Sequence, residues 1–260
     1  MPFPTRLVIL FAALSQIIMT RFVMGTSIAI IRTEHLIVIA ADSAAVDELG
    51  RRATTAECKI RPIGRFYYVP NKFTEDSAGG YNVHRIIENV GTRDSLGSLA
   101  TALRDAIPGP LVRALMGARQ RNPVRFKENF ETKQAMGVAL AGIDGGRPTL
   151  IDMRFYIEDL DAKTISLRLE EHRCPEGDRS DGVATVLIGP QWLQQRFAAE
   201  HPNYWTGNLD NISENAEAFV KMAIDAGLPD VAPPISVLVI GPSAIDWRRP
   251  GSCAAGTPRK

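Results

Sequence analysis

Two short apolar runs, SIAIIR at residues 27–32 and LIVIAA at residues 36–41, set the pattern of the chain. Both runs are rich in β-branched residues, and only the polar residues 33–35 (TEH) separate them. β-branched runs joined by a short polar connection are typical of paired antiparallel strands. The two runs therefore predict a tight β-hairpin, and the second run leads directly into Asp42 and Ser43.

The rest of the chain alternates between strand patterns and helical patterns. Apolar residues recur with a helical period over residues 81–120, in two or three helices. Two more helices are predicted before residue 228, the clearer one from an N-cap at Asn211 to a stop at Gly227. Further strands are predicted at residues 58–62, 66–69, 136–143, 149–157, 164–170, 183–188 and 234–240. This order predicts an α+β fold in which antiparallel sheets stack and helices cover their outer faces.

Composition places the chain among ordinary globular proteins. It has 260 residues, of which 45% are hydrophobic and 23% are charged, so neither disorder nor a fibrous structure fits. The 30 Lys and Arg residues and the 29 Asp and Glu residues give a formal charge of +1. Because a nearly neutral chain has no net field that attracts a polyanion, we expect no nucleic-acid partner.

The first 25 residues have the layout of a removable leader. Arg6 precedes an apolar run at residues 7–19, and Val23 and Gly25 form a cleavage pattern before Thr26. The run is shorter than the about 20 residues that cross a bilayer core, so we expect no stable membrane span. We predict a signal peptide and a periplasmic or secreted protein. A propeptide on a cytoplasmic protein and a retained anchor are the alternatives.

The remaining chain divides into one domain and a tail. No linker, repeat or low-complexity tract interrupts residues 26–247, which we expect to form a single domain. Residues 248–260 are rich in Pro, Gly, Ser and Ala, and we expect them to be disordered.

Motifs for metal or nucleotide chemistry are missing from the sequence. The four histidines show no HExxH or HxH pattern and are interpreted as surface or cap residues. The motifs GxGxxG, GxxxxGK[ST] and GxSxG are absent. Cys58, Cys174 and Cys253 lack a CxxC pair and allow at most one disulfide, which their spacing does not assign. We therefore expect neither a metal nor an organic cofactor.

Thr26, Asp42 and Lys59 are the candidate catalytic residues. If the leader is removed before Thr26, one residue carries both a hydroxyl and a free α-amine. An α-amine has a pKa of about 7.7 to 8, so near neutral pH it can accept the hydroxyl proton. A cation beside the hydroxyl favours the alkoxide and a carboxylate holds that cation, roles that suit Lys59 and Asp42. Taken alone, however, each of these charges is more often a surface residue.

The joint pattern of GTSIAIIR, LIVIAADS and CKI resembles the β subunits of the proteasome and their bacterial relatives among the N-terminal-nucleophile hydrolases. Asp42 lies 16 residues after Thr26, as in that family, and Lys59 lies 33 residues after it, one more than in the family. The resemblance implies a four-layer αββα sandwich of two stacked antiparallel sheets, and together with the leader it suggests an exported, bacterial-type relative. It also implies a threonine peptidase or amidohydrolase that cleaves peptide or other amide bonds.

The resemblance extends to supporting residues, with some departures. By register, Asn71 stands where a backbone N–H of the family forms the oxyanion hole, and Asp230 resembles an aspartate after the family's late helix. Pro190, Gln191 and Pro233 replace a serine, a glycine and a second serine of the family. These replacements leave a second interpretation open, a non-catalytic binding or assembly module. For the enzyme we expect a peptide or small amide substrate. A homo-oligomer is compatible with the resemblance, but no feature of the sequence itself indicates one.

Overall fold

The computed structural model describes residues 26–46, 52–175 and 182–256. The predictions for residues 1–25 and 257–260 lie outside these described residues. Two five-stranded antiparallel sheets and six helices form the framework, in agreement with the α+β prediction. None of the helices in the described ranges combines the length and apolar character that crossing a membrane requires.

The strands divide between two large sheets and two short pairs. Sheet A has the spatial order β12-β1-β2-β13-β14 and contains β1 (Ile28–Arg32), β2 (Ile37–Ala41), β12 (Ala184–Ile188), β13 (Ser236–Ile240) and β14 (Ile245–Arg249). Sheet B has the order β11-β10-β9-β6-β5 and contains β5 (Arg61–Ile63), β6 (Phe66–Lys72), β9 (Gln134–Asp144), β10 (Arg147–Ile157) and β11 (Leu167–Cys174). The short pairs are β3 (Ala44–Val46) with β4 (Arg52–Ala56), and β7 (Glu75–Asp76) with β8 (Tyr81–Asn82).

Strands β1 and β2 form the predicted hairpin. Ile28 lies opposite Ala41, and the register leaves the polar residues 33–35 in the connection. Every residue of both strands is buried, because β12 and β13 flank the hairpin and other elements pack on both of its faces. The register also brings the start of β1 and the end of β2 to one end of the sheet. Thr26 and Asp42 therefore meet there.

The described residues form six helices, and four of them begin at an Asn or Ser whose side chain accepts a backbone N–H of the first turn. They are α1 (Val83–Val90), α2 (Leu96–Ala106), α3 (Pro108–Arg121), α4 (Pro123–Asn129), α5 (Gln191–Glu200) and α6 (Leu209–Asp225). Helix α6 begins earlier than predicted, because the side chain of Asn208 accepts a hydrogen bond from the N–H of Asn211 at 3.0 Å. Asn208 and not Asn211 is therefore the cap. The predicted stop at Gly227 is confirmed, since this glycine has a φ of 67° just beyond the helix.

Three apolar clusters hold the elements together. The first combines residues of both sheets, among them Ile28 and Ile30 of β1. The second combines sheet A with α5 and α6, and it contains the alternate β1 residues Ala29 and Ile31. The third combines sheet B with α1, α2, α3 and α4. Since alternate residues of a strand point to opposite faces, β1 is packed on both sides.

The C-terminal segment corrects the prediction of a disordered tail from residue 248. Strand β14 pairs with β13, and a 3-10 helix follows at Gly251–Gly256. Cys253 is 3% exposed and forms a disulfide with Cys58, which lies 195 residues earlier. Strand pairing and this covalent bond hold a segment whose composition alone suggested fraying.

Candidate active site

Thr26 lies two residues before Ile28, the first residue of β1, at the end of sheet A where β2 also ends. The next residue, Ser27, is fully buried and donates its N–H to Asp42 Oδ1 at 3.0 Å. Its carbonyl accepts the N–H of Asp42 at 3.1 Å. Thr26 itself is only partly buried. Thr26 is thus a partly exposed residue whose backbone is fixed by hydrogen bonds at the next residue.

Lys59 places its ammonium group between Thr26 and Asp42. Nζ lies 2.8 Å from Asp42 Oδ1 and 3.4 Å from Thr26 Oγ1. Lys59 is 8% exposed and Asp42 is 1% exposed, so the ion pair is shielded from water. In such surroundings a charge acts on a neighbouring atom more strongly than it does in bulk water. The three candidate catalytic residues therefore lie together, with a cation beside the hydroxyl oxygen.

The carboxylate of Asp42 is held by four donors. Oδ1 accepts hydrogen bonds from Ser27 N and Lys59 Nζ, while Oδ2 accepts them from Ala44 N at 2.9 Å and Ala232 N at 3.4 Å. A buried charge is costly unless hydrogen bonds and a counter-charge satisfy it. These contacts fix the orientation of the carboxylate, and through it the position of the ammonium group.

Asp230 lies in the turn that follows α6, and this turn contacts Asp42. Asp230 is 2% exposed and lies two residues before Ala232, whose N–H binds Asp42. The carbonyl of Ala232 also accepts the N–H of Ser43 at 3.0 Å. Asp230 therefore belongs to a buried turn that contacts the residue pair 42–43 through its backbone.

Asn71 lies in β6, opposite Gly137 of β9. It is 2% exposed, and its Oδ1 accepts a hydrogen bond from Gln134 Nε2 at 3.3 Å. A Cβ at position 137 would lie 2.6 Å from Asn71 Nδ2, so the glycine leaves room for this amide. Among the described residues, no hydrogen bond joins Asn71 to the three candidate catalytic residues. The structure thus brings those three together and leaves Asn71 as a separate, buried position.

A buried polar chain near Lys59 corrects the interpretation of His84 as a surface residue. His84 is 8% exposed, and its Nδ1 lies 3.2 Å from Tyr68 Oη. Its Nε2 lies 3.4 Å from Glu57 Oε1, which also accepts a hydrogen bond from Arg61 at 2.8 Å. Glu57 lies two residues before Lys59, so this series of hydrogen-bonded side chains reaches the loop that carries Lys59.

Glu57 and Tyr68 in this group of side chains have shifted pKa values. The hydrogen bond from His84, assisted by nearby positive charges, lowers the pKa of Glu57 below its ordinary value. Burial raises the pKa of Tyr68 to about 12. One signal in the sequence could have placed His84, since it lies three residues before the buried Ile87 and therefore on the inner side of α1.

The arrangement has the parts needed to activate a hydroxyl nucleophile. It has a hydroxyl on a partly exposed residue, a shielded ammonium group 3.4 Å from that hydroxyl and a carboxylate that orients the ammonium group. Within the described part of the chain, no cluster of His, Cys, Asp or Glu side chains is suited to hold a metal ion.

Comparison with known proteins adds a likeness of fold. No family model matches the chain, and no curated protein matches it. Among solved structures, the chain is similar to the Gly-1 mutant of Anbu from Hyphomicrobium sp. strain MC1, with a TM-score of 0.52 and 16% sequence identity. The match covers 86% of this chain and 85% of that chain. This likeness to a proteasome-like protein shows that the chain has a proteasome-like fold.

Proposed function

We propose that the chain is an N-terminal threonine hydrolase that cleaves peptide or other amide bonds. The observation that carries this proposal is the position of Lys59 Nζ, 2.8 Å from Asp42 Oδ1 and 3.4 Å from Thr26 Oγ1. The Thr26 hydroxyl satisfies one donor of the buried ammonium, and the same contact places a positive charge beside the oxygen that would attack the amide. It fits a nucleophile that acquires negative charge during reaction.

The proposed reaction begins with removal of residues 1–25, which frees the α-amine of Thr26. The neutral amine accepts the proton of Oγ1, directly or through a water, as Oγ1 attacks the carbonyl carbon of the amide. The ammonium of Lys59 stabilises the developing negative charge on Oγ1. The amine then passes the proton to the leaving nitrogen, and an ester of Thr26 remains. Water hydrolyses this ester, which releases the acid and restores the hydroxyl.

Three further residues have supporting roles in this proposal. Asp42 orients Lys59 through their ion pair. Asp230 supports the turn whose Ala232 N–H binds Asp42. Asn71 remains our candidate for the backbone N–H that binds the oxyanion.

The stacking order of the two sheets and the helices is part of the same proposal. The three apolar clusters support a four-layer αββα sandwich, with α1 to α4 outside sheet B and α5 and α6 outside sheet A. In this arrangement the site lies at the end of sheet A, beside the cluster shared by the two sheets.

We also propose that the chain is exported, with residues 1–25 as a signal peptide. The Cys58–Cys253 disulfide supports this location, because disulfides persist mainly in oxidising compartments such as the periplasm. The proposed partner is a short or unfolded peptide or a small amide. The cytoplasmic propeptide remains the alternative for residues 1–25.

Intact-mass measurement tests the proposed N-terminus. We expect the purified active chain to have the mass of residues 26–260, because only a free α-amine on Thr26 can act as the base. The Thr26→Ala variant is the matched sample, and it separates processing by a signal peptidase from processing that needs the hydroxyl. Active material that still contains Gly25 would contradict the proposal.

Replacing Asp42 by asparagine tests the orienting role. We expect kcat to fall by less than in a variant that lacks Lys59, because the ammonium remains and only its counter-charge is lost. The melting temperature should fall as well, since Lys59 is left as a buried charge without its carboxylate. Steady-state kinetics and thermal unfolding measure the two effects. A loss of kcat larger than that caused by removing Lys59 would give Asp42 a role in proton transfer instead.

A non-catalytic binding or assembly module is the second candidate. The prolines at positions 190 and 233 favour it, since neither can provide the hydroxyl that the proteasome-like pattern has there. An inactive chain that is correctly processed at Thr26 would support this candidate.

A further inference from the structure

The C-terminal strap, defined as residues 250–253, lies against the start of β13. The carbonyl of Pro250 accepts a hydrogen bond from Ser236 Oγ at 3.1 Å. Gly251 has a φ of 50°, and a Cβ there would lie 2.5 Å from Ser236 Oγ and 2.7 Å from the carbonyl oxygen of Ile235. Glycine is therefore required at position 251 for this close approach.

Ser252 joins the strap to the residue after Asp42 and to the loop of Lys59. Ser252 Oγ lies 2.7 Å from Ser43 Oγ and donates a hydrogen bond to the carbonyl of Glu57 at 2.8 Å. The N–H of Glu57 donates in turn to the carbonyl of Ser43 at 2.9 Å. One serine of the strap thus connects the two segments that carry the ion pair.

The disulfide makes this connection covalent directly beside Lys59. Residues 57–60 lie between β4 and β5 and belong to no strand. Cys58, the residue before Lys59, is bonded to the buried Cys253 of the strap. The strap therefore holds the Lys59 loop at two successive residues, by a hydrogen bond at Glu57 and by the disulfide at Cys58.

We propose that the C-terminal strap is a positioning element for Lys59, and that opening the Cys58–Cys253 bond switches the hydrolase to a low-activity state. The inference rests on the proposed function and deepens it, because it adds a redox requirement to the same site. The strap contacts neither Thr26 nor a substrate in this proposal. It acts through the backbone of residues 57 and 58.

The switching step needs a dithiol as reductant. A thiolate of the dithiol attacks one sulfur of the Cys58–Cys253 bond and forms a mixed disulfide. The second thiolate of the dithiol then displaces the cysteine. Two electrons pass to the protein, which gains two thiols after protonation, while the dithiol becomes a cyclic disulfide. Oxidation by a small disulfide reverses the step.

The test compares the oxidised full-length chain with the same chain treated with a dithiol. Both samples are alkylated, and their intact masses give the position of the N-terminus and the number of free thiols. The oxidised chain should take up one alkyl group, at Cys174, and the reduced chain three. We expect reduction to lower kcat on a small amide by about 10- to 100-fold, because a displacement near 1 Å at a reacting group has effects of that size. KM should change by less than about two-fold, since the strap contacts no substrate.

A second readout does not depend on hydrolysis. In chain labelled with ¹⁵N-lysine, the buried, hydrogen-bonded ammonium of Lys59 should exchange its protons slowly and give its own resonance, assigned by its loss in Lys59→Met. We expect this resonance to broaden or disappear on reduction and in Cys253→Ser. Ser252→Ala, which keeps the disulfide, should give a smaller change. Cys174→Ser is the matched control and should behave like the unaltered chain.

The possible outcomes separate this inference from the proposed function. A Lys59 resonance and a kcat that are both unchanged by reduction would overturn the positioning role, even in an active enzyme. A resonance that responds to reduction in a chain without hydrolytic activity would support the strap and overturn the hydrolase. Uptake of three alkyl groups by the untreated chain would exclude the disulfide and with it the switch. If Cys253→Ser does not fold, reduction of the unaltered chain and Ser252→Ala still decide the question.

Discussion

Replacing Thr26 by alanine is expected to abolish amide hydrolysis. Both the attack on the carbonyl carbon and the ester intermediate need Oγ1, so the loss of kcat should reach the order of 10⁶, as for other enzymes that lose their nucleophile. The fold should be preserved, because Thr26 is only partly buried and precedes β1. Initial rates on a small chromogenic amide, together with the melting temperature, measure both quantities.

Thr26→Ser is the matched control for this substitution. Serine keeps the hydroxyl and the α-amine, so part of the rate should remain, while the lost methyl group relaxes the restriction on χ1. In both active forms the rate should rise with pH through about 7.7 to 8, since only the neutral amine can take the hydroxyl proton. Equal rates for the unaltered chain and Thr26→Ala would exclude the nucleophile and favour the binding or assembly module.

Replacing Lys59 by alanine is expected to lower kcat by about 10² to 10³, the usual effect of removing one electrostatic donor from a shielded site. The reason is the 3.4 Å contact of its ammonium with Thr26 Oγ1. Asp42 then keeps its backbone donors but loses its cation, which costs about 3 to 5 kcal/mol of stability when a buried pair is broken. Rates must therefore be measured well below the melting temperature of the variant.

Lys127→Ala provides the control for Lys59→Ala. The ammonium of Lys127 pairs with Asp161 at the surface, with 62% and 74% of the two side chains exposed. Surface pairs of this kind contribute about 0 to 1 kcal/mol, so neither kcat nor the melting temperature should change appreciably. If a folded Lys59→Ala variant kept more than about a tenth of the original kcat, the loss would be smaller than that expected for one electrostatic donor. This result would contradict the electrostatic role of Lys59.

The sequence predicted those parts of the fold that depend on local pattern. The two apolar runs rich in β-branched residues predicted the β1–β2 hairpin, and its register brings Thr26 and Asp42 to one end of a sheet. The position of Lys59 could not be predicted from local pattern alone, because Lys59 lies on a loop outside any strand. Its prediction depended on a spacing that differs by one residue from the pattern that the sequence resembles, and the structure places its ammonium group beside Thr26 and Asp42.

The features that the sequence did not predict depend on contacts between distant segments. Strand β14 has only two apolar residues, Ile245 and Trp247, and is mostly exposed, so its pairing with β13 is what defines it. The Cys58–Cys253 pair joins residues 195 positions apart, and three cysteines allowed three different pairings. The burial of His84 follows from its packing against Tyr68, which local polarity does not indicate.

The strand order of sheet A determines when the site can first form during synthesis. Strand β1 pairs with β12, and β2 pairs with β13, where Ser236 lies opposite Ala41. The ribosome must therefore synthesise the chain through Ile240 before the first hairpin has both of its neighbours. Pairing between such distant segments has a high contact order and forms slowly. Ala232, which binds Asp42, also belongs to this late part of the chain. A nascent chain consequently carries Thr26 without these neighbours, so the proposed hydrolysis can begin only after β13 has been translated.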